Sequence, residues 1–228
     1  MSSVIPARVG IILDGNRRWA KAKGLPPMEG HRRGAENTRT IAEYAFERGV
    51  KTLALYVFST ENWNRSPIEV VYLMDLFRAY AEDWDKLQQK GIKVLFAGNS
   101  KKLPKDILRV TRDIQASAPK KPNGTLIVCL NYGGRDEVVR ATRRAIEQGI
   151  SPRSLSEKKF ASFLDVPELG DVDLVIRTSG EQRLSGFLLW QASYAELYFS
   201  KKMWPAFSKK DFDEALAEFA SRKRRFGA

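Results

Sequence analysis

Val9-Gly10-Ile11-Ile12-Leu13-Asp14-Gly15-Asn16-Arg17-Arg18-Trp19-Ala20 passes from a short apolar run through a glycine turn into a helix start. A run this short and this uniformly apolar reads as a strand buried on both faces, with the polar residues standing at its C-terminal end. The same form recurs at Thr52 to Phe58, Lys93 to Ala97, Thr125 to Asn131 and Leu174 to Arg177, and more weakly at Glu196 to Phe199. Segments of helical period lie between them. The clearest is Pro67 to Lys90, where Val70, Leu73, Met74, Phe77, Ala81, Trp84 and Leu87 form one apolar stripe. Ser66 is its cap, Pro67 takes the first helical position and Glu69 is placed to close a capping box. A second helix, Lys209 to Arg222, carries Phe212, Leu216 and Phe219 behind Ser208 and Asp211. Strand and helix in alternation imply parallel strands joined by crossover helices, hence an α/β fold with its sheet covered on both faces. With no internal repeat, long linker or low-complexity segment, residues 1–228 read as a single domain, and Ala118 to Gly124 as a surface loop.

Composition sets the outer bounds. The chain has 228 residues, 43% hydrophobic and 29% charged, which excludes disordered, collagen-like and disulfide-scaffold classes. Cys129 is the single cysteine and no secretory signal pattern opens the chain, so a reducing cytoplasm is expected. No apolar run approaches the roughly 18 residues that a membrane span needs. Lys and Arg number 39 against 27 Asp and Glu, a net charge of +12. That field attracts polyanions: nucleic acid, phosphorylated small molecules or an anionic membrane face, which composition does not separate. The basic run Ser221 to Arg225 reads as a solvated face.

Ligands of parallel sheets bind outside the C-terminal ends of the strands. After the first strand come Asp14, Gly15, Asn16, Arg17 and Arg18, a turn that suits a diphosphate, with one carboxylate suited to a Mg²⁺ ion bridging its oxygens. After the second come Ser59, Thr60, Glu61, Asn62, Trp63, Asn64 and Arg65. After the fifth come Arg177 to Ser185, again with two arginines and small hydroxyl residues. Three anion-binding strand ends exceed what one phosphate chain needs, and two separate diphosphates account for them. Plainer readings stand beside this one: Asp-Gly-Asn is a common turn, Arg177 suits a buried ion pair, and His31 suits a cap or a surface. One histidine and one cysteine exclude a His/Cys zinc site. No P-loop, GxGxxG, HExxH or GxSxG motif occurs.

Taken together, LDGNRRWAKAKG at 13–24, GHRRGAE at 30–36, LYVFSTENWNRSPIEV at 55–70, LNYGGRDEV at 130–138, DLVIRTSGEQRLSGFLLWQ at 173–191, AELYF at 195–199 and RRFG at 224–227 resemble the cis-prenyltransferase family of undecaprenyl diphosphate synthase. The resemblance implies a six-stranded, mainly parallel sheet surrounded by helices, as a homodimer. It implies condensation of isopentenyl diphosphate onto an allylic diphosphate, usually farnesyl diphosphate. Each step forms a cis double bond and releases pyrophosphate, and the product is a carrier lipid for cell-wall or glycan precursors. By this likeness Asp14 and Glu196 hold Mg²⁺. Gly15, Asn16, Arg17, Arg18, Trp19 and His31 hold the allylic diphosphate, while Arg177, Arg183, Leu184 and Ser185, with Arg65, hold isopentenyl diphosphate. Ser59, Thr60, Glu61, Asn62 and Trp63 line the reacting centre, with Asn62 at the proton-removal step. Arg225-Phe226-Gly227 reaches the isopentenyl site, from either subunit. The DDxxD motifs of trans-prenyltransferases are absent.

A growing chain also needs an apolar tunnel, for which Leu73, Phe77, Leu55 and Val57 are candidate walls. The long helix also offers apolar surface for peripheral membrane contact. Leu13, Pro27 and Gly186 depart from the family's usual methionine, arginine and asparagine, and Arg32 or Arg33 is the nearby replacement for the cation missing at Pro27. The alternatives are a shorter- or different-chain synthase and a non-catalytic regulatory subunit; no nucleic-acid partner is expected.

Overall fold

The computed structural model describes residues 4–222, so the expectation placed on Arg225-Phe226-Gly227 lies outside the described residues. Six strands form one sheet: β1 (Arg8–Ile12), β2 (Thr52–Ser59), β3 (Ile92–Ala97), β4 (Gly124–Tyr132), β5 (Leu174–Arg177) and β6 (Glu196–Phe199). Their order is β3-β4-β2-β1-β5-β6, and every neighbouring pair is parallel. From β1 the chain leaves toward β2, and from β5 it leaves toward β6, in the opposite direction. The C-terminal ends of β1 and β5 thus flank the topological switch point, where open parallel sheets leave a crevice.

Alternation along each strand divides the core. Val9, Ile11, Leu53, Leu55, Leu126, Val128, Leu174 and Ile176 face α2 (Pro27–Glu47), α3 (Pro67–Ala79), α4 (Ala81–Gln89), α5 (Lys105–Ala116) and α8 (Lys209–Ser221). Ile12, Ala54, Tyr56, Ile127, Cys129 and Val175 face the other way, under Phe187, Leu188 and Ala192. A third cluster joins α6 (Gly134–Glu147) to Phe163 and Leu164, just beyond α7 (Glu157–Ala161). Two covered faces explain why the strands read as unbroken apolar runs.

Two expectations about helices need correction. Pro67 to Lys90 is two helices, α3 and α4, meeting at Tyr80 (φ −95°, ψ 4°). The Asp83 amide donates to the Tyr80 carbonyl at 3.1 Å, a three-residue step that overwinds the ladder, although neither Gly nor Pro signals it. Secondly, Ser66 caps α3 by accepting from the Glu69 amide at 3.3 Å, but the Glu69 carboxylate does not return to close a box. At α8 the box is complete, with Ser208 and Asp211 reciprocally bonded.

The short helix α1 (Asn16–Ala22) lies on α2 so closely that only glycine fits between them. A Cβ on Gly30 would stand 2.1 Å from the Asn16 carbonyl oxygen, and one on Gly34 2.4 Å from Asn16 Oδ1. Alanine at position 30 would gain about 1 kcal/mol of helix propensity. It would also collide with a backbone atom that has no alternative rotamer, an overpacking cost of about 1–3 kcal/mol. The collision wins: Gly30→Ala is expected to lower the urea midpoint of unfolding at unchanged slope. A midpoint equal to or above wild type would show that α1 has room to withdraw.

Candidate functional site

At the crevice, the chain after β1 is laced to the chain after β5. The Asp14 amide donates to Thr178 Oγ1 at 3.0 Å, and that hydroxyl donates to the Asp14 carbonyl at 2.7 Å. The Trp204 amide donates to the same carbonyl at 2.9 Å. These bonds fix where the Asp14 carboxylate points. Arg177, the last residue of β5 and almost fully buried, donates to Asp14 Oδ2 at 2.9 Å and to Ser185 Oγ at 2.9 Å, and also to the Arg183 carbonyl. Arg18 approaches Asp14 Oδ1 at 3.4 Å and donates to Glu181 at 3.0 Å, and Glu181 also holds Arg183 at 2.5 Å. Asp14 therefore stands between two guanidinium groups.

A second cluster forms around Glu69. Its Oε1 takes bonds from His31 Nε2 at 3.0 Å and Arg65 at 2.9 Å, and its Oε2 from Arg17 at 3.2 Å. The residue is 6% exposed. Burial alone would raise its pKa, yet Arg65, the His31 hydrogen bond and Arg17 outweigh burial and hold the carboxyl below its ordinary value. Burial lowers His31, and the charges of Arg65 and Arg17 add to this while Glu69 works against it. At neutral pH the pair is a carboxylate and a neutral imidazole, which requires the proton on Nε2 facing Glu69.

Both clusters open on one cavity of about 1300 Å³. Asp14, Gly15, Asn16, Arg17, Arg18, His31, Ser59, Thr60, Glu61, Asn62, Arg65, Arg177, Arg183 and Ser185 line it, so most of the expected site residues come together. Deeper in, the lining becomes apolar through Val57, Phe58, Leu73, Met74, Leu76, Phe77, Trp84 and Leu87. Ser59 and Asn62 cap the turn Thr60–Asn64 reciprocally, and Asn62 Oδ1 accepts from the Ser59 amide at 3.1 Å.

Seven expected residues are elsewhere. Trp63 donates to Asn131 Oδ1 at 2.7 Å and packs edge-on against Phe58, holding the turn from behind. Leu184 packs into the second core cluster, and Trp19 lies outside the lining under the Lys23 ammonium. Leu55 is buried core and not tunnel wall. Glu196 opens β6 in register with Leu174 and, through it, Val9, while Asp14 follows the far end of β1; more than the length of the strand, roughly 10 Å, and two strand spacings separate them within one chain. Glu196 instead pairs with Arg222 at 2.7 Å. Arg32 and Arg33, the proposed replacements at Pro27, bind Glu29 and Glu36 on the exposed side of α2 and do not line the cavity.

The sequence reading missed three residues. Arg135 and Asp136, after the C-terminal end of β4, line the cavity beside Gly133 and Gly134; the strand-end rule, applied to β4, points to them. Glu69 was read only as a cap. Its i,i+4 spacing from Arg65 was the available signal, whereas His31 comes from another helix.

Among the described residues, no three His, Cys, Asp or Glu side chains gather as a metal cage. Mg²⁺ does not require one, since it binds through one or two carboxylates together with substrate phosphates and water. Asp14 is a partly accessible carboxylate whose Oδ1 has only a long 3.4 Å contact, with Glu181 on the same rim. Arg177 Nε and Ser179 Oγ are buried beside it without hydrogen-bond partners, as an oxyanion-binding rim requires. The donor set fits a magnesium diphosphate.

His31 is the one histidine, so its ring resonances are unambiguous in an NMR titration. It is expected to titrate below the ordinary value of 6.5, and lower still in Glu69→Ala, which removes the one group favouring its charged form. The unfolded chain then protonates first, so His31 costs stability as the pH falls below about 6.5. A rise of the ring pKa in Glu69→Ala would overturn the assigned pairing.

Residues 12–227 match a family model described as "Putative undecaprenyl diphosphate synthase". The chain is 45% identical to an isoprenyl transferase of Aquifex pyrophilus over 228 residues, covering all of this chain and 98% of that one. It is 42% identical to an isoprenyl transferase of Thermotoga maritima, covering 98% and 97% respectively. Among solved structures, lavandulyl diphosphate synthase from Lavandula x intermedia in complex with dimethylallyl diphosphate matches with a TM-score of 0.92 at 34% identity, covering 98% of this chain and 99% of that one. A "probable undecaprenyl diphosphate synthase" from Campylobacter jejuni matches with 0.82 at 29% identity and the same coverage. With the paired cation clusters opening on one apolar cavity, these likenesses lead to one assignment: the chain is an isoprenyl transferase of the undecaprenyl diphosphate synthase family.

Proposed function

We propose that this enzyme elongates a cis-polyprenyl chain, condensing isopentenyl diphosphate repeatedly onto an allylic diphosphate, with farnesyl diphosphate as starter and an undecaprenyl-scale product. One observation carries the reading: two cationic clusters share the mouth of a single cavity whose interior is apolar. The allylic diphosphate lies against Gly15, Asn16, Arg17, Arg18 and His31 with its hydrocarbon toward Leu73 and Phe77. The isopentenyl diphosphate lies against Arg177, Arg183 and Ser185. Arg65, tied through Glu69 to Arg17 and His31, serves the allylic side. The solved relative with dimethylallyl diphosphate supports an allylic subsite.

In each cycle the allylic carbon–oxygen bond breaks, pyrophosphate leaves, a carbon–carbon bond forms and isopentenyl diphosphate loses a proton. Asp14 would hold Mg²⁺, which when bound would supply positive charge against the departing diphosphate. Arg17 and Arg18 add fixed positive charge where the negative charge develops. Asn62 lines the cavity, and its carbonyl is committed to the Ser59 amide, which leaves its Nδ2 as the group for a substrate. An amide is a weak base, so Asn62 orients a substrate oxygen and the released pyrophosphate is the stronger proton acceptor. Glu196 is left on the far edge of the sheet and joins no metal within its own chain.

The partners follow from surfaces. No helix among the described residues is long and apolar enough to cross a membrane. Ile68 and Val71 are 73% and 60% exposed on the outer face of α3, beside the basic mouth, and support peripheral contact with a cytoplasmic membrane face. Val139 and Ile146, exposed on α6, support a homodimer.

Purified protein given radiolabelled isopentenyl diphosphate, Mg²⁺ and each allylic starter in turn is expected to yield a ladder of cis products, ending near eleven isoprene units from farnesyl diphosphate. EDTA is expected to abolish it. Asp14→Ala should lower kcat by about 100-fold or more while remaining folded by circular dichroism. A short terminus moves the assignment to the shorter-chain alternative, and no incorporation from any starter overturns it.

A further inference from the structure

The turn that follows β2 is tied to the end of β4 by Asn131, a residue that does not itself line the cavity. Register between the two strands runs Tyr56 to Cys129, Phe58 to Leu130 and Ser59 to Tyr132, so each strand carries one extra residue, Val57 and Asn131. The bulge at Asn131 turns the chain over: Leu130 and Tyr132, which strict alternation would put on one face, pack in opposite core clusters. Asn131 stands at φ 50°, a left-handed conformation that asparagine accepts more readily than most residues, and it is 3% exposed. Both of its side-chain donors are used. Nδ2 donates to the carbonyls of Asn99 at 2.7 Å and Lys101 at 2.8 Å, beyond the end of β3, and Oδ1 accepts the Trp63 indole at 2.7 Å. The Asn99 amide returns to the Asn131 carbonyl at 3.0 Å. Asn131 is thereby clamped on the β3 side and offers a fixed acceptor to the turn after β2.

That turn is bonded within itself and so moves as one piece. Ser59 and Asn62 cap it reciprocally, and the Arg65 amide donates to the Asn62 carbonyl at 3.1 Å. Ser59, Thr60, Glu61, Asn62 and Arg65 line the cavity, whereas Trp63 sits behind them. The turn also lies so close to the end of β4 that a Cβ on Gly133 would stand 2.6 Å from Thr60 Oγ1. We propose that Asn131 is a positioning residue for the condensation: through the Trp63 indole it sets where the Thr60–Asn64 turn, and Asn62 with it, stands against the reacting centre. The reaction concerned is the chain elongation proposed above, on which this inference rests. Without the Asn131 side chain, the Trp63 indole loses its acceptor and the turn is held from behind by the edge-on packing of Trp63 on Phe58. Ring packing tolerates sliding, whereas a short hydrogen bond to a clamped acceptor fixes one position. A misplacement of about 1 Å at a reacting centre costs on the order of 100-fold in rate.

The test is a single-turnover rate. Excess enzyme is mixed with limiting labelled farnesyl diphosphate, saturating isopentenyl diphosphate and Mg²⁺, and the consumption of farnesyl diphosphate is followed. With enzyme saturating, this rate does not depend on the folded fraction, so a merely structural role leaves it unmoved. Asn131→Gly keeps the left-handed backbone accessible and removes all three side-chain bonds, and it is expected to slow the turnover about tenfold or more. Trp63→Phe keeps a ring against Phe58 and removes the indole donor, and it should slow the turnover by a similar factor. The double variant is expected to be no slower than the slower single one, because both act through one bond. An unchanged rate in Asn131→Gly overturns the positioning role, as do losses that multiply in the double variant. Should Asn131→Gly not fold, Trp63→Phe decides, since an unchanged rate there also overturns the role and a tenfold loss supports it. Condensation by wild type with variants at the wild-type rate overturns the positioning role alone; no condensation by wild type from any allylic starter overturns the elongation reading and the role with it.

Discussion

Two carboxylates hold the cationic mouth of the cavity together, and the rest of the site depends on them. Two guanidinium groups about 5 Å apart repel by roughly 3 kcal/mol at the effective dielectric of a partly buried site. Arg17, Arg65, Arg18 and Arg177 converge on one opening, so the assembly stands only because each pair shares an anion. Asp14 lies between Arg18 and Arg177, and Glu69 between Arg17 and Arg65 with His31 as third donor. The two anions are not equivalent. Asp14 keeps part of its surface accessible, so a metal diphosphate can reach it. Glu69 is enclosed and fully used by protein donors, which makes it a positioning residue that sets the spacing of cations for a substrate it does not itself touch.

The topology explains why both clusters share one mouth. Asp14 and Arg177 end adjacent strands at the switch point, where departing connections diverge and leave the crevice uncovered. Glu69 enters from α3 on the same side, because Pro67 and Ser66 start that helix directly after the turn that follows β2. The helix that delivers Glu69 at its first turn then carries Leu73, Met74 and Phe77 down the cavity wall. One element therefore supplies the anchor for the charged end of a substrate and the wall for its hydrocarbon end.

What the sequence made legible follows the same logic. Strands buried on both faces announce themselves as apolar runs, and β5 and β6 fall at the expected boundaries. The strand-end rule found Asp14, Arg177 and the Ser59–Arg65 turn because it depends only on chain direction. Glu196 opens its strand, at the end away from Asp14, so the strand-end rule does not select it and only the family likeness does. The break at Tyr80 left no mark, since an aromatic residue within an apolar stripe continues the helical period. Trp63 looked like a site residue because its neighbours are, whereas its indole serves Asn131 behind the turn. The His31–Glu69 contact joins α2 to α3 across 38 residues, a pairing that no local spacing encodes.

The departures from the family pattern separate once they are placed in the fold. Gly186 has φ +78°, a left-handed conformation that glycine and asparagine both accept, and its carbonyl takes the Gly134 amide at 2.7 Å, a bond that uses no side chain. The exchange leaves the loop's backbone role intact. Pro27 is different in kind. It occupies the first turn of α2, where its fixed φ suits the helix start, but it brings no charge, and Arg32 and Arg33 are held by Glu29 and Glu36 on the outer face. On the proposed reading the cations left on the allylic side are Arg17, Arg18 and Arg65, so more would depend on the anion that spaces Arg17 and Arg65. Glu69 gains in consequence from the proline: with fewer cations at the mouth, the position of each matters more.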